Sequence, residues 1–232
     1  MHVPDGFLDA ATSVSTGAVA AAGVGLALTK ARKELDDRTA PMAGLVATFV
    51  FATQMLNFPV GAGTSGHLLG GALAAVLVGP WTGLLCVSVV LLVQAFLFAD
   101  GGITALGTNI TLMGVVGLLT GWLVFRGLQR VLPKRVGLVP PLAAVGALVS
   151  VPAAALAFVG LYAVGGTAPI PLDTLLTAML GWHVLIGVGE AVITGLVVGS
   201  VVAVRPDLVH GARPALRTRR LQIRTDTGEA AA

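Results

Sequence analysis

Trp81-Thr82-Gly83-Leu84-Leu85-Cys86-Val87-Ser88-Val89-Val90-Leu91-Leu92-Val93-Gln94-Ala95-Phe96-Leu97-Phe98 is the stretch that decides the fold. It carries no charge. At about 1.5 Å of rise per residue, a helix of this length approaches the ~30 Å hydrocarbon thickness of a bilayer. Pro80 separates it from a shorter apolar segment, His67 to Gly79, and the loop Ala99 to Gly107 follows it.

Composition extends this reading to the whole chain. Of the 232 residues, 56% are hydrophobic and 11% charged, with a mean hydropathy of +0.92, far from the soluble norm of about 25% charged. The length leaves room for six or seven helices of roughly 20 residues each, in one bundle without a separate soluble domain. The single cysteine, Cys86, lies in an apolar run, which excludes a disulfide framework and a cysteine metal site. A pI of 9.6 does not indicate nucleic acid, because membrane proteins gather basic residues on one side for another reason.

Outward from the central stretch, the expected crossings are Thr12 to Thr29, a helix opening at Pro41 and ending near Phe58, His67 to Gly79, Trp81 to Phe98, Thr108 to Phe125, Gly137 to Val164 and Leu180 to Val204. Pro152 lies inside the sixth, and Gly165 to Pro171 forms a turn. All 14 lysines and arginines fall in three places: four between residues 30 and 38, four between 126 and 135, and six from Arg205 onward. Counting His67 to Gly79 as a crossing puts all three on one side, which the positive-inside rule makes cytoplasmic. The fold class is therefore all-α, a polytopic membrane bundle of about seven helices with the amino terminus outside and the carboxyl terminus inside. Residues 1–204 form the single transmembrane domain; 205–232 are a basic cytoplasmic tail, expected to be disordered.

This topology collects on the outer face the amino terminus, the loop 59–66 with His67 at its end, and the loop 99–107. Met1 to Thr16 has no basic residue ahead of its apolar region and contains Asp5 and Asp9, so no cleaved leader is expected and Met1 is taken as the mature terminus. A free amine followed by histidine can close two chelate rings through the α-amine, the His2 amide and the His2 imidazole, and His67 can supply a fourth nitrogen. Such a field suits Cu(II) or Ni(II) better than Zn, and also accepts low-spin Co(II). The competing readings are a frayed start for Met1-His2 and, for His67, a helix-start histidine bonded to a loop carbonyl. Asn57 and Gln94, with Gln54 and Asn109, lean toward the outer ends of helices, as the lining of a pocket would, and Ser65 sits in the His67 loop. His183 and Glu190 are two helical turns apart on one face. Glu190 reads either as a functional intramembrane carboxylate or as a structural partner of His183 or of a neighbouring helix. Gly101-Gly102 lacks the lysine and Ser/Thr of a nucleotide loop, and no Ser-His-Asp or Cys-His arrangement is present.

Several motifs together resemble the CbiM/NikM family. They are Met1 to Leu8 (MHVPDGFL), Asn57-Phe58-Pro59-Val60 with Gly63-Thr64-Ser65-Gly66-His67-Leu68-Leu69-Gly70-Gly71, Gln94 to Gly102, and Gly181 to Gly187 with Gly189-Glu190. The resemblance runs to about residue 204. It implies a seven-helix substrate-binding subunit of an energy-coupling-factor transporter in a prokaryotic cytoplasmic membrane. Met1, His2 and His67 would hold Co(II) or Ni(II) as transported substrate, with no resident cofactor. It also implies a transmembrane coupling subunit, cytoplasmic ATPase subunits and often a small accessory membrane protein, so that the chain is not itself an enzyme. The alternatives are a membrane metalloenzyme built on His2, His67 and His183, and a vitamin-binding subunit of the same transporter type.

Overall fold

A computed structural model describes residues 1–36, 39–61 and 64–218. Seven helical segments build it: α1 (Ala10–Lys30), α2 (Ala40–Gln54), α3 (Gly71–Val78), α4 (Pro80–Leu97), α5 (Leu106–Val131), α6 (Val139–Gly165) and α7 (Leu172–Val204). Their starts follow from local chemistry. The Asp9 carboxylate accepts the Thr12 amide at 2.7 Å and caps α1. Prolines occupy the first turn of α2, α4 and α6, where an amide hydrogen has no partner within the helix. The start of α4 is also closed by a distant side chain, Glu34, whose carboxylate accepts the Thr82 amide at 2.7 Å and the Trp81 amide at 3.3 Å. Within α5, Ile110–Gly117 winds as a π-helix, a widened form that occurs mostly at functional sites.

The structure refines the expected segments. Five helices, α1, α4, α5, α6 and α7, are long and apolar enough to cross a membrane among the described residues; α2 is shorter. α3 has 8 residues, all buried; at about 1.5 Å per residue it spans less than half of a bilayer core, so it is an internal helix that faces protein on every side. α2 stops at Gln54 instead of running to Phe58, because the chain turns into an antiparallel hairpin, β1 (Phe58–Gly61) with β2 (Thr64–Gly66), in which Pro59 faces Ser65. α7 begins at Leu172, well before the expected Leu180, with Asp173 in its first turn, where a negative charge complements the helix dipole. α1 packs on the bundle through Thr12, Thr16, Ala20 and Ala27.

The tail differs most from expectation. Residues 206–218 fold back onto the bundle, burying Val209, Ala212 and Ala215. Gln129 Nε2 donates to the Gly211 carbonyl at 2.8 Å, and Arg213 donates to the Glu34 carbonyl at 3.2 Å. The basic composition suggested disorder, but the apolar residues spaced between the charges give this stretch a face to bury. The rest of the tail, residues 219–232, lies outside the described residues, as do 37–38 and 62–63.

α6 and α7 form the longest helix pair, and a proline shapes their contact. Pro152 has no amide hydrogen to give the Leu148 carbonyl. Gly187 of α7 packs against that carbonyl so closely that an added Cβ would lie 2.9 Å from the oxygen. Gly187→Leu is therefore expected to destabilise the bundle by about 1–3 kcal/mol through overpacking. Gly181→Leu, at a position of the same helix with nothing within 4 Å of an added Cβ, should leave thermal unfolding in detergent unchanged; equal melting shifts would refute this account.

Candidate metal-binding site

The site is built on residues 1–9, which enter the bundle before α1 begins. Pro4 and Gly6, the latter at φ 72°, bend the segment, and several polar groups along it meet partners. The Val3 amide donates to Asn109 Oδ1 at 2.8 Å. Its carbonyl accepts from Asn109 Nδ2 at 3.1 Å and from the Gly102 amide at 2.9 Å. Asp5 accepts the Thr104 amide at 2.7 Å and the Thr104 hydroxyl at 2.5 Å, which holds its carboxyl below the usual range. Phe7 stacks on Phe158 and leans on Tyr162, whose hydroxyl donates to the Ala168 carbonyl. Further along, the Asp9 amide donates to the Gly165 carbonyl at 2.7 Å. Met1, His2 and Val3 end up buried.

His2 and His67 stack with ring centroids 4.3 Å apart and planes 25° from parallel. His2 Nε2 donates to Gln94 Oε1 at 3.1 Å, and His2 Nδ1 lies 3.1 Å from Asp100 Oδ1. The other Asp100 oxygen accepts from Asn57 Nδ2 at 2.8 Å. Burial acts to raise the Asp100 carboxyl, but the hydrogen bond and charge of His2, together with Asn57, outweigh it and keep Asp100 below the ordinary carboxylate range. At Met1 burial dominates: against the pull of Asp100, it drives the amine down to about 4. Burial so deep favours the neutral form of the amine, which keeps a lone pair.

Two further lone pairs follow from the histidines. His67 Nδ1 lies 2.7 Å from the Leu68 carbonyl and His183 Nδ1 2.7 Å from the Met179 carbonyl. A carbonyl only accepts, so Nδ1 carries the hydrogen in each ring, and the neutral imidazole presents its free pair at Nε2. Among the described residues neither Nε2 atom has a hydrogen-bond partner, and both side chains are 0% exposed. The structure thus gathers Met1, His2 and His67, and brings His183 within electrostatic range of His67 and the amine.

The remaining candidates support this cluster in different ways. Glu190 does not bond His183. Its two carboxylate oxygens accept the amides of Leu69 at 2.7 Å and Gly70 at 2.6 Å, clamping the loop that carries His67. Gln54 holds the same loop from the other side, donating to the Leu69 carbonyl at 2.6 Å. Gly70 adopts φ 73°, and an added Cβ would meet Val50 at 2.8 Å. Gln94 and Asn57 reach the cluster directly, whereas Ser65 takes part through the hairpin ladder. Asp100 was not read as part of the site, and Asn109 only as pocket lining. Their signal was present, since Asp100 stands in the Gln94 to Gly102 motif and Asn109 at an outer helix end.

Residues 2–208 match the family model described as the cobalt uptake substrate-specific transmembrane region, CbiM. The chain belongs to the CbiM family. A protein of Haloquadratum walsbyi is 39% identical over 209 residues, covering 90% of this chain and 93% of its own. The fused nickel transport protein NikMN of Rhodobacter capsulatus is 34% identical over 236 residues, covering 96% of this chain and 68% of its own. A solved structure, described as a truncated transition metal transporter, superposes with a TM-score of 0.80 at 32% identity, covering 88% of this chain and 99% of that one. This CbiM-family chain is accordingly a multi-pass protein of the prokaryotic cell membrane and a component of cobalt or nickel transport.

Removing the clamp should loosen the His67 loop without unfolding the bundle. In Glu190→Gln an amide NH2 faces one of the two backbone donors. The lost acceptor is expected to ease local opening by about 1–3 kcal/mol, seen as roughly five- to hundredfold faster hydrogen exchange at Leu69 and Gly70. Asn109→Ala should do the same at Val3. Unchanged exchange at these amides would contradict the assigned roles.

Proposed function

We propose that this CbiM-family chain is the substrate-specific subunit of an energy-coupling-factor importer and that it captures Co(II) or Ni(II) at the outer face of the membrane. The observation that carries this reading is the buried meeting of the amino terminus, the His2 ring and, among the described residues, the unpartnered His67 Nε2. In the chelate, the Met1 amine, the His2 amide and His2 Nδ1 close two rings, and His67 Nε2 completes a nitrogen field suited to Ni(II) or low-spin Co(II). With Nε2 donating to Gln94, the neutral ring has its lone pair at Nδ1, and metal binding there would take the place of the Nδ1 contact with Asp100. A divalent ion bound through a deprotonated amide retains one positive charge, and Asp100 stands beside Nδ1 to balance it; an uncompensated charge here would be costly.

Transport needs an energy source, and the Gly101-Gly102 loop has no lysine or Ser/Thr to bind nucleotide phosphates. In this reading ATP is hydrolysed by separate cytoplasmic subunits. A transmembrane coupling subunit conveys the rearrangement, with or without a small accessory membrane protein. The chain itself is a transport component rather than an enzyme, as the names of its relatives suggest.

Adding a single residue before Met1 leaves every side chain in place but moves the amine out of chelating range. Calorimetry with Ni(II) and Co(II) should then show affinity falling by more than about a hundredfold, since even partners outside the ligand set are worth 10–100-fold. His67→Ala should weaken binding less, because water can take one position. Unchanged affinity in the extended variant, or intact binding after both His2→Ala and His67→Ala, would rule out the proposed ligand set.

A further inference from the structure

At the other end of α5, about 25 Å from Asn109 at 1.5 Å per residue, lies a cavity of about 480 Å³ lined by Trp122, Arg126, Lys134, His210, Arg213 and Arg217, with Pro214 and Thr218 closing it. The folded-back tail creates it, because His210, Arg213 and Arg217 come from that segment while Trp122, Arg126 and Lys134 come from α5 and the loop after it. Four permanent cations therefore face one space. Among the described residues, none of the four pairs with a carboxylate; Arg126 bonds Gln129 at 2.9 Å and Arg213 bonds the Glu34 carbonyl. His210 Nδ1 is buried without a partner. Burial, followed by the charges of Arg213 and Arg126, pushes the His210 imidazole down to about 4, as expected of a positive space without a counter-ion.

We propose that this cavity binds the phosphate headgroup of an anionic phospholipid from the adjoining leaflet. Its volume falls in the range of small-molecule sites, about 300–1,000 Å³. It stands where helices α1 and α5 end and where all three basic segments of the chain converge, which places it at headgroup depth. Trp122 sits in its wall, 5.5 Å from the Arg126 guanidinium and 5.6 Å from the His210 ring, in keeping with the preference of tryptophan for the membrane interface. Leu123, Val131 and Leu132, on and just after the same end of α5, are exposed and offer apolar surface for acyl chains. Basic pockets between helices at the cytoplasmic face bind anionic headgroups by this combination of charge and depth. The inference is independent of the metal site, since it uses none of its residues.

The shared chemistry is a phosphate anion, so the experiment must separate lipid from free phosphate. Delipidated full-length protein in detergent would be mixed with equal amounts of phosphatidylglycerol and phosphatidylcholine, and retained lipid read by native mass spectrometry. Wild type is expected to retain phosphatidylglycerol preferentially. Lys134→Gln with Arg217→Gln, both at exposed positions, should lower that preference by roughly thirtyfold, about fivefold for each basic side chain. Arg126→Gln with Arg213→Gln repeats the test on the deeper pair. A unimodal thermal transition in phosphatidylcholine alone, matching wild type, shows that a variant is folded. Equal retention of the two lipids by wild type overturns the proposal, as does a preference that survives the exposed pair of substitutions. Displacement of the lipid by equimolar inorganic phosphate reassigns the site to a soluble anion. Thermal stabilisation by a hexaglutamate peptide where phosphatidylglycerol gives none reassigns it to an acidic protein partner. Either result overturns the lipid assignment.

Discussion

A free amino terminus buried in a membrane-embedded bundle must have every polar group satisfied by protein, because hydrocarbon offers no hydrogen bonds and charge is strongly penalised there. The architecture at one end of this molecule follows from that constraint. Asn109 answers both backbone groups of Val3, Gly102 supplies a second donor to the same carbonyl, and Asp5 is held by Thr104. At the amine, burial works against the charged form.

The second consequence concerns how the surrounding helices carry the loop of His67. Four consecutive residues, His67 to Gly70, are not helical, yet they lie inside the bundle, where an irregular backbone persists only if buried in protein or lining a cavity. Glu190 and Gln54 meet that requirement from α7 and α2. Two hydrogen bonds from a single side chain of α7 tie the position of the His67 loop to that helix. The fully buried α3 follows directly and packs the base of the loop.

Much of this was legible in the residues. The uncharged run from Trp81 to Phe98 and the confinement of lysine and arginine to three segments suffice for a helical membrane bundle. The Met1-His2 and His67 motifs name the cluster that the structure gathers. Less legible were features that depend on contacts distant in sequence. Glu190 could be singled out as an intramembrane carboxylate, but the amides of Leu69 and Gly70 as its partners could not, because backbone donors leave no mark on composition. Asn109 looked like pocket lining until its pairing with Val3 was visible. The folded-back tail was obscured for a different reason: its arginines dominate the local average, while the burial is done by Val209, Ala212 and Ala215, which are small and widely spaced. The brevity of α3 was not legible: the charge distribution asks the chain to change sides between α2 and α4, but nothing in it shows that only Gly71–Val78 of that stretch is helical.

The two histidines with bonded Nδ1 atoms carry a thermodynamic consequence. Each ring is oriented by a main-chain carbonyl, from Leu68 beside it or from Met179 one turn earlier in its own helix. The tautomer is thus set by main-chain acceptors. A base fixed in this way has already surrendered its rotational freedom during folding. An electrophile arriving at Nε2 then finds an acceptor aimed in advance, and little entropy remains to be lost when the bond forms.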